Sequence, residues 1–136
     1  MPAGYSKKSL VEKLGIKEGS KVAILNPPKN YSATLGPLPN NVALASKLPA
    51  RADFIHFFTR ERRDLEGAFA NLKRALAPDG MLWISWPKGA SKIAADLNEN
   101  IVREIGLAHG LVDIKVCAVD ETWSGLKFVY RLKDRT

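Results

Sequence analysis

The chain has 136 residues, 46% of them hydrophobic and 26% charged, proportions that suit one folded domain over residues 1–136 and argue against disorder, a fibrous repeat or a membrane span. Twenty-one Lys and Arg against 14 Asp and Glu give a net charge of +7, which favours anionic ligands through long-range attraction without bearing on the fold. A single cysteine excludes an internal disulfide, and with only His56 and His109 beside it no metal-ligand spacing is present.

In chain order, Ser6 is placed to cap a first helix that puts Leu10, Val11 and Leu14 on one face, with Gly15 placed to stop it. After the polar turn Lys17-Glu18-Gly19-Ser20, the apolar run Val22 to Leu25 predicts a strand buried on both faces. Asn26 to Asn40 holds four prolines and Gly36, so it has room for one helical turn, around Tyr31 to Leu35. Val42 to Ala45 and Asp53 to Phe58 read as two further strands of one sheet.

Between Glu61 and Ala77, Leu65, Ala68, Phe69, Leu72, Ala75 and Leu76 recur at helical spacing, and Pro78-Asp79-Gly80 is expected to end the helix in a turn. Met81 to Trp86 predicts a buried strand stopped by Pro87, and Asn98 to His109 a second helix closed by Gly110. Leu111 to Val119 and Leu126 to Leu132 are close enough to pair as an antiparallel hairpin. Strands alternating with helices imply an α/β fold, a mostly parallel sheet covered on both faces with an antiparallel strand added at the end.

Leu72-Lys73-Arg74-Ala75-Leu76-Ala77-Pro78-Asp79-Gly80-Met81-Leu82-Trp83-Ile84-Ser85 resembles the helix, turn and fifth strand of class I S-adenosylmethionine-dependent methyltransferases. Ala52 to Phe57 is similar to that family's fourth strand, and the closing hairpin to its sixth and seventh. The resemblance implies a three-layer, Rossmann-like fold, with an N-terminal half truncated between Val42 and Asp53, where a helix and a third strand would stand. The whole chain, through Gly4-Tyr5-Ser6, Leu25-Asn26-Pro27-Pro28, Gly36-Pro37-Leu38-Pro39, Ser85-Trp86-Pro87-Lys88 and Val116 to Lys127, also resembles a bacterial family of small proteins with no assigned activity.

Methyltransferases of this class hold their cofactor on a glycine-rich turn after the first strand. Here that turn is Asn26-Pro27-Pro28-Lys29-Asn30, in which two prolines add ring bulk and remove two amide donors. The acidic residue that would bind ribose hydroxyls after the second strand is also missing, since Ala45-Ser46-Lys47 offers no carboxylate. Conventional S-adenosylmethionine binding is therefore not expected, and no other cofactor or metal is predicted.

Ligands of open parallel sheets bind beyond the carboxyl ends of the strands, an edge expected to collect Asn26, Thr59, Arg60, Trp86, Lys88, Asp120, Glu121 and Trp123. Two indoles, a lysine and two carboxylates suit a flat or anionic ligand, while the plainer reading makes the tryptophans core caps and the carboxylates turn residues. Lys88-Gly89-Ala90-Ser91-Lys92 reads either as a solvated loop or as a small anion-binding loop before the next helix. His56, flanked by apolar residues, is expected to be a core histidine satisfied by a hydrogen bond rather than a base, and Cys117 a buried, inert thiol.

The function expected is a non-catalytic binding or interaction module, whose partner is a small molecule or a protein. Two alternatives stand beside it: an enzyme acting on a small anionic or nucleotide-like ligand at the strand ends, and a nucleic-acid-binding protein, the latter disfavoured because the basic residues are scattered rather than interleaved with aromatics. Met1 to Lys8 lacks the apolar core of a secretory signal and no run approaches the roughly 20 apolar residues of a spanning helix, so a cytoplasmic location without a membrane partner is expected.

Overall fold

The computed structural model describes residues 9–135, and they build one six-stranded sheet between two helical layers. The elements are α1 (Leu10–Leu14), β1 (Lys21–Leu25), α2 (Tyr31–Leu35), β2 (Ala43–Ala45), β3 (Ala52–Phe58), α3 (Arg62–Ala75), β4 (Leu76–Pro87), α4 (Glu99–Ala108), β5 (Leu111–Ala118) and β6 (Trp123–Tyr130). A short 3-10 turn, Leu132–Asp134, follows.

The strand order is β2-β1-β3-β4-β6-β5. β1, β2, β3 and β4 run parallel, whereas β6 pairs antiparallel with both β4 and β5. This is the mostly parallel sheet with an antiparallel C-terminal hairpin that the alternation of elements predicts. β2 passes to β3 through the short connection 46–51 with no intervening helix, and among the described residues the sheet has no strand outside β2. The truncation lies where the sequence places it.

Local chemistry explains most boundaries. Ser9 caps α1 in a reciprocal capping box with Glu12, and Gly15 ends it in the left-handed conformation, φ 93°, that suits glycine. Ser6, the expected cap, lies outside the described residues. Asn98 caps α4 through its side chain, accepting from the Ile101 amide at 2.9 Å. α3 stops at Ala75, and the expected turn at Pro78-Asp79-Gly80 is instead extended chain inside β4. The register explains this: Ala52 pairs with Leu76 and Phe54 with Met81, so Ala77 to Gly80 bulge opposite Asp53. Glycine is required at the close of that bulge, because a Cβ on Gly80 would stand 2.8 Å from the Asp53 carbonyl oxygen. β6 begins at Trp123, three residues before the expected Leu126, and ends at Tyr130.

Each sheet face has its own core. Against α3 and α4 pack Ile55, Phe57, Leu82, Ile84, Trp86, Leu126 and Phe128, meeting Leu65, Phe69, Leu72, Val102 and Ile105 from the helices. Against α1 and α2 pack Val22, Ile24, Phe54, Phe58 and Trp83, meeting Leu10, Val11, Leu14, Tyr31 and Leu35. Cys117, on the edge strand β5, is only half-buried and its thiol reaches no further than the next carbonyl, so it is not the buried thiol expected of it. No helix among the described residues is long and apolar enough to cross a membrane.

Candidate functional site

All the sequence-predicted site residues lie at the carboxyl-end edge or in the turns just beyond it, but they do not converge. Trp86 and Trp123 sit on opposite faces of the sheet, which corrects the expected indole clasp. Trp86 pairs with Ser124 in the β4–β6 register, so it shares a face with Ile84 and Leu82 and is buried under the long helices. Trp123 points to the other face and meets Phe58 edge-on, 5.3 Å between centroids.

The polar members are occupied by their own loops. The Asp120 carboxylate accepts hydrogen bonds from the Thr122 and Trp123 amides at 2.8 and 2.7 Å, and Lys88 Nζ donates to the Asp120 carbonyl at 2.8 Å. Lys88 and Asp120 are thus brought together as a clip between the β4 end and the β5–β6 turn, with the Lys88 amide donating to the Thr122 carbonyl. Thr59 is buried and accepts from the Glu61 amide, while Arg60 and Glu121 are exposed. The Lys88 to Lys92 segment is not the mouth of a helix, because α4 starts only at Glu99. These carboxylates are turn residues, as the plainer reading has it.

Two of the eight open onto concavities, Arg60 onto a shallow one with Glu61, Ala94, Ala95 and Asp96, and Asn26 onto a larger, mainly apolar one. Asn26 adopts a left-handed φ of 56°, its side-chain amide reaches toward the Phe58 carbonyl at 3.5 Å, and it stands at the head of the turn containing Pro27 and Pro28. Beyond it lies a cleft of about 670 Å³ between the carboxyl ends of β1 and β2 and the helix α2, within the usual size range for small-molecule sites. Ile24, Pro27, Pro28, Tyr31, Leu35, Leu38 and Leu44 supply an apolar wall, with Asn26, Ser32 and Ser46 as neutral polar groups and Lys29 as the one charged residue of the lining among the described residues. Leu44, on the edge strand, stands 59% exposed.

Beneath the cleft runs a buried polar chain that sequence spacing does not reveal. Tyr31 Oη lies 2.8 Å from His56 Nδ1, and His56 Nε2 lies 2.6 Å from Ser85 Oγ. His56 and Ser85 are fully buried, and the imidazole stacks on Phe58 at 4.1 Å. Burial lowers the histidine pKa to about 3, so the ring is neutral at physiological pH, and burial raises that of the Tyr31 phenol well above its usual value. His56 is therefore a satisfied core residue, as expected, with two partners rather than one, and Ser85 is sealed from any substrate.

No protein-family model matches the chain, and no curated protein matches it. Solved structures do. An S-adenosylmethionine-dependent methyltransferase from Aquifex aeolicus is 16% identical, with a TM-score of 0.61 over 88% of this chain and 86% of that one. Magnesium protoporphyrin IX methyltransferase from Synechocystis, with bound S-adenosylhomocysteine, is 11% identical, TM-score 0.60, over 90% and 78%. The Methanococcus jannaschii fibrillarin pre-rRNA processing protein is 12% identical, TM-score 0.61, over 85% and 68%. The fold is methyltransferase-like.

That likeness is one of fold, since function on such a scaffold resides in the site. At the site, the turn after β1 carries two proline nitrogens without hydrogens, and Ser46, just past β2, contributes a hydroxyl and no carboxylate. Among the described residues no group of three or more His, Cys, Asp or Glu is placed to hold a metal ion. The cleft residues Lys29, Tyr31 and Leu44 were not singled out by sequence reasoning. The signal for them was the proline turn, which reads as the loss of one site and also walls another.

Proposed function

We propose that residues 1–136 form a single methyltransferase-like domain that binds rather than methylates, a cytoplasmic binding module without conventional S-adenosylmethionine binding, and that it belongs with the bacterial family of small proteins it resembles. The observation that carries this reading is the Asn26-Pro27-Pro28 turn at the head of the cleft. Backbone amides there would have to approach and donate to a cofactor, and prolines have none to give. Support also comes from the strand-end groups, whose carboxylate and ammonium are taken up by the β4 to β5–β6 clip. The cleft is the ligand site of this module.

Thermal-shift titration with S-adenosylmethionine and S-adenosylhomocysteine tests it. A ligand at about a hundred times its dissociation constant adds roughly 2.7 kcal/mol to stability, several degrees of melting temperature for a chain of this length. The expected result with both adenosyl compounds at 1 mM, a concentration chosen to saturate any conventional site, is a shift below about 1 °C. A shift of several degrees, or methyl transfer or other turnover that Asp120→Asn or Trp123→Ala abolishes, would overturn the reading.

A further inference from the structure

We propose that the cleft beyond β1, taken as the ligand site on the reading above, selects a small apolar monoanion, a carboxylate carried on a hydrocarbon body. Three properties of its wall lead there. First, the wall is hydrocarbon on opposing sides, with Ile24 and Leu44 from the sheet and Leu35 and Leu38 from the covering segment. Leu44 stands 59% exposed at that wall, and covering such surface is what an apolar ligand body gains from.

Second, the charge of the wall has one sign. Among the described residues Lys29 is its one ionised residue, and no carboxylate lines it. In a chain of net charge +7, a cationic ligand meets repulsion with no local counter-charge, whereas an anion meets an ammonium donor. S-adenosylmethionine carries a sulfonium and an ammonium against a single carboxylate, so its net charge is positive and the same electrostatics that suit a monoanion disfavour it. Third, the head group has to be compact. Pro27 and Pro28 leave the turn without the run of amides that cradles a phosphate chain, so one lysine with the neutral Asn26, Ser32 and Ser46 nearby matches a single carboxylate better than a polyphosphate.

Three probes with a straight ten-carbon chain and different head groups test this, sodium decanoate, 1-decanol and decyltrimethylammonium, each titrated calorimetrically into the full chain below micelle formation. Decanoate is expected to bind one per chain, roughly tenfold more tightly than decanol, and decyltrimethylammonium not to bind. Lys29→Glu should reverse the order of decanoate and decyltrimethylammonium. Lys133→Glu, the same charge change on the exposed turn after β6, should leave the order intact. Ser46→Trp, at an exposed loop position of the lining, should remove decanoate binding while the melting temperature of the free protein is unchanged.

Equal binding of the three probes, an unchanged order in Lys29→Glu, or decanoate binding that survives Ser46→Trp would overturn the inference. Absence of decanoate binding together with absence of adenosyl binding would overturn this inference alone and leave the binding module without an assigned ligand class. Saturable S-adenosylmethionine binding at the cleft would overturn both.

Discussion

The two faces of the sheet are covered in different ways. On one, α3 and α4, 14 and 10 residues long, lay Leu65, Phe69, Leu72, Val102 and Ile105 onto a continuous apolar surface. On the other, two five-residue helices do the covering, a histidine is buried among aromatics, and a cleft stays open between α2 and the strand ends. Long amphipathic helices close a face with hydrocarbon alone. Short ones leave gaps, and the gap here is filled partly by a hydrogen-bonded chain and otherwise left open as the cleft, so that face is where ligand binding and pH sensitivity are expected.

The largest expected effect is on the short-helix face and follows from His56. Its folded-state pKa of about 3 lies below the ordinary value of 6.5, so between pH 6.5 and 3 the unfolded chain binds a proton that the folded chain does not. Stability is then full above pH 6.5 and falls as pH drops through that window, by about 1.4 kcal/mol per pH unit and roughly 3 kcal/mol by pH 4. Urea denaturation of wild type and His56→Phe between pH 7 and 4 measures it. The variant should be less stable at pH 7, because the Tyr31 hydroxyl and Ser85 Oγ lose their partner, but its decline with acid should be flatter. Parallel slopes would mean that the acid sensitivity of the molecule lies elsewhere.

A second comparison probes the long-helix face. A Cβ on Gly106 of α4 would overlap the Phe128 ring, which is fully buried and packed edge-on against Phe69. Gly106→Ala in an exposed helix would gain about 1 kcal/mol from propensity. Here so close an approach puts overpacking in the upper part of its usual range, about 2–3 kcal/mol, which opposes and exceeds that gain, for a net loss of about 1–2 kcal/mol by denaturant midpoint. A neutral or stabilising result would show that α4 can lift from β6, and that the tight face is softer than its packing suggests.

How much of this was legible in the sequence follows the same division. The long-helix face was readable because Leu65, Phe69 and Leu72 repeat at helical spacing and Gly110 marks the end of the second helix, both local signals. The mostly parallel sheet with its antiparallel C-terminal hairpin followed from the alternation of elements and the family-like run from Leu72 to Ser85. The expected tryptophan clasp failed on register. Trp86 pairs with Ser124, not Trp123, and a shift of one residue in a strand turns a side chain to the other face. Pro78-Asp79-Gly80 looked like a turn from composition, whereas the bulge opposite Asp53 absorbs it within β4. The Tyr31–His56–Ser85 chain joins residues 25 and 29 positions apart, which no spacing rule connects.

The smallest effect concerns the antiparallel hairpin, where the short-helix face runs out of cover. Lys127 of β6 sits directly opposite Lys115 of β5. Its pKa is lowered by burial first and then by the charges of Lys115 and Lys17. Among the described residues none of these three lysines has an acidic partner within ion-pair distance. Like charges facing each other across a strand pair are unfavourable by a few tenths of a kcal/mol up to about 1, and Lys127 is partly desolvated as well. Lys127→Met keeps the hydrocarbon stem beside Gly15 and Trp83 and removes the charge, so it should stabilise the fold by about 0.5 kcal/mol at low ionic strength. The gain should shrink as salt screens the wild-type repulsion, over a Debye length of about 8 Å at 0.15 M. A loss of stability in Lys127→Met at low salt would mean that the ammonium is held by a favourable contact outweighing the repulsion, and that this edge of the short-helix face is better covered than its lysines imply.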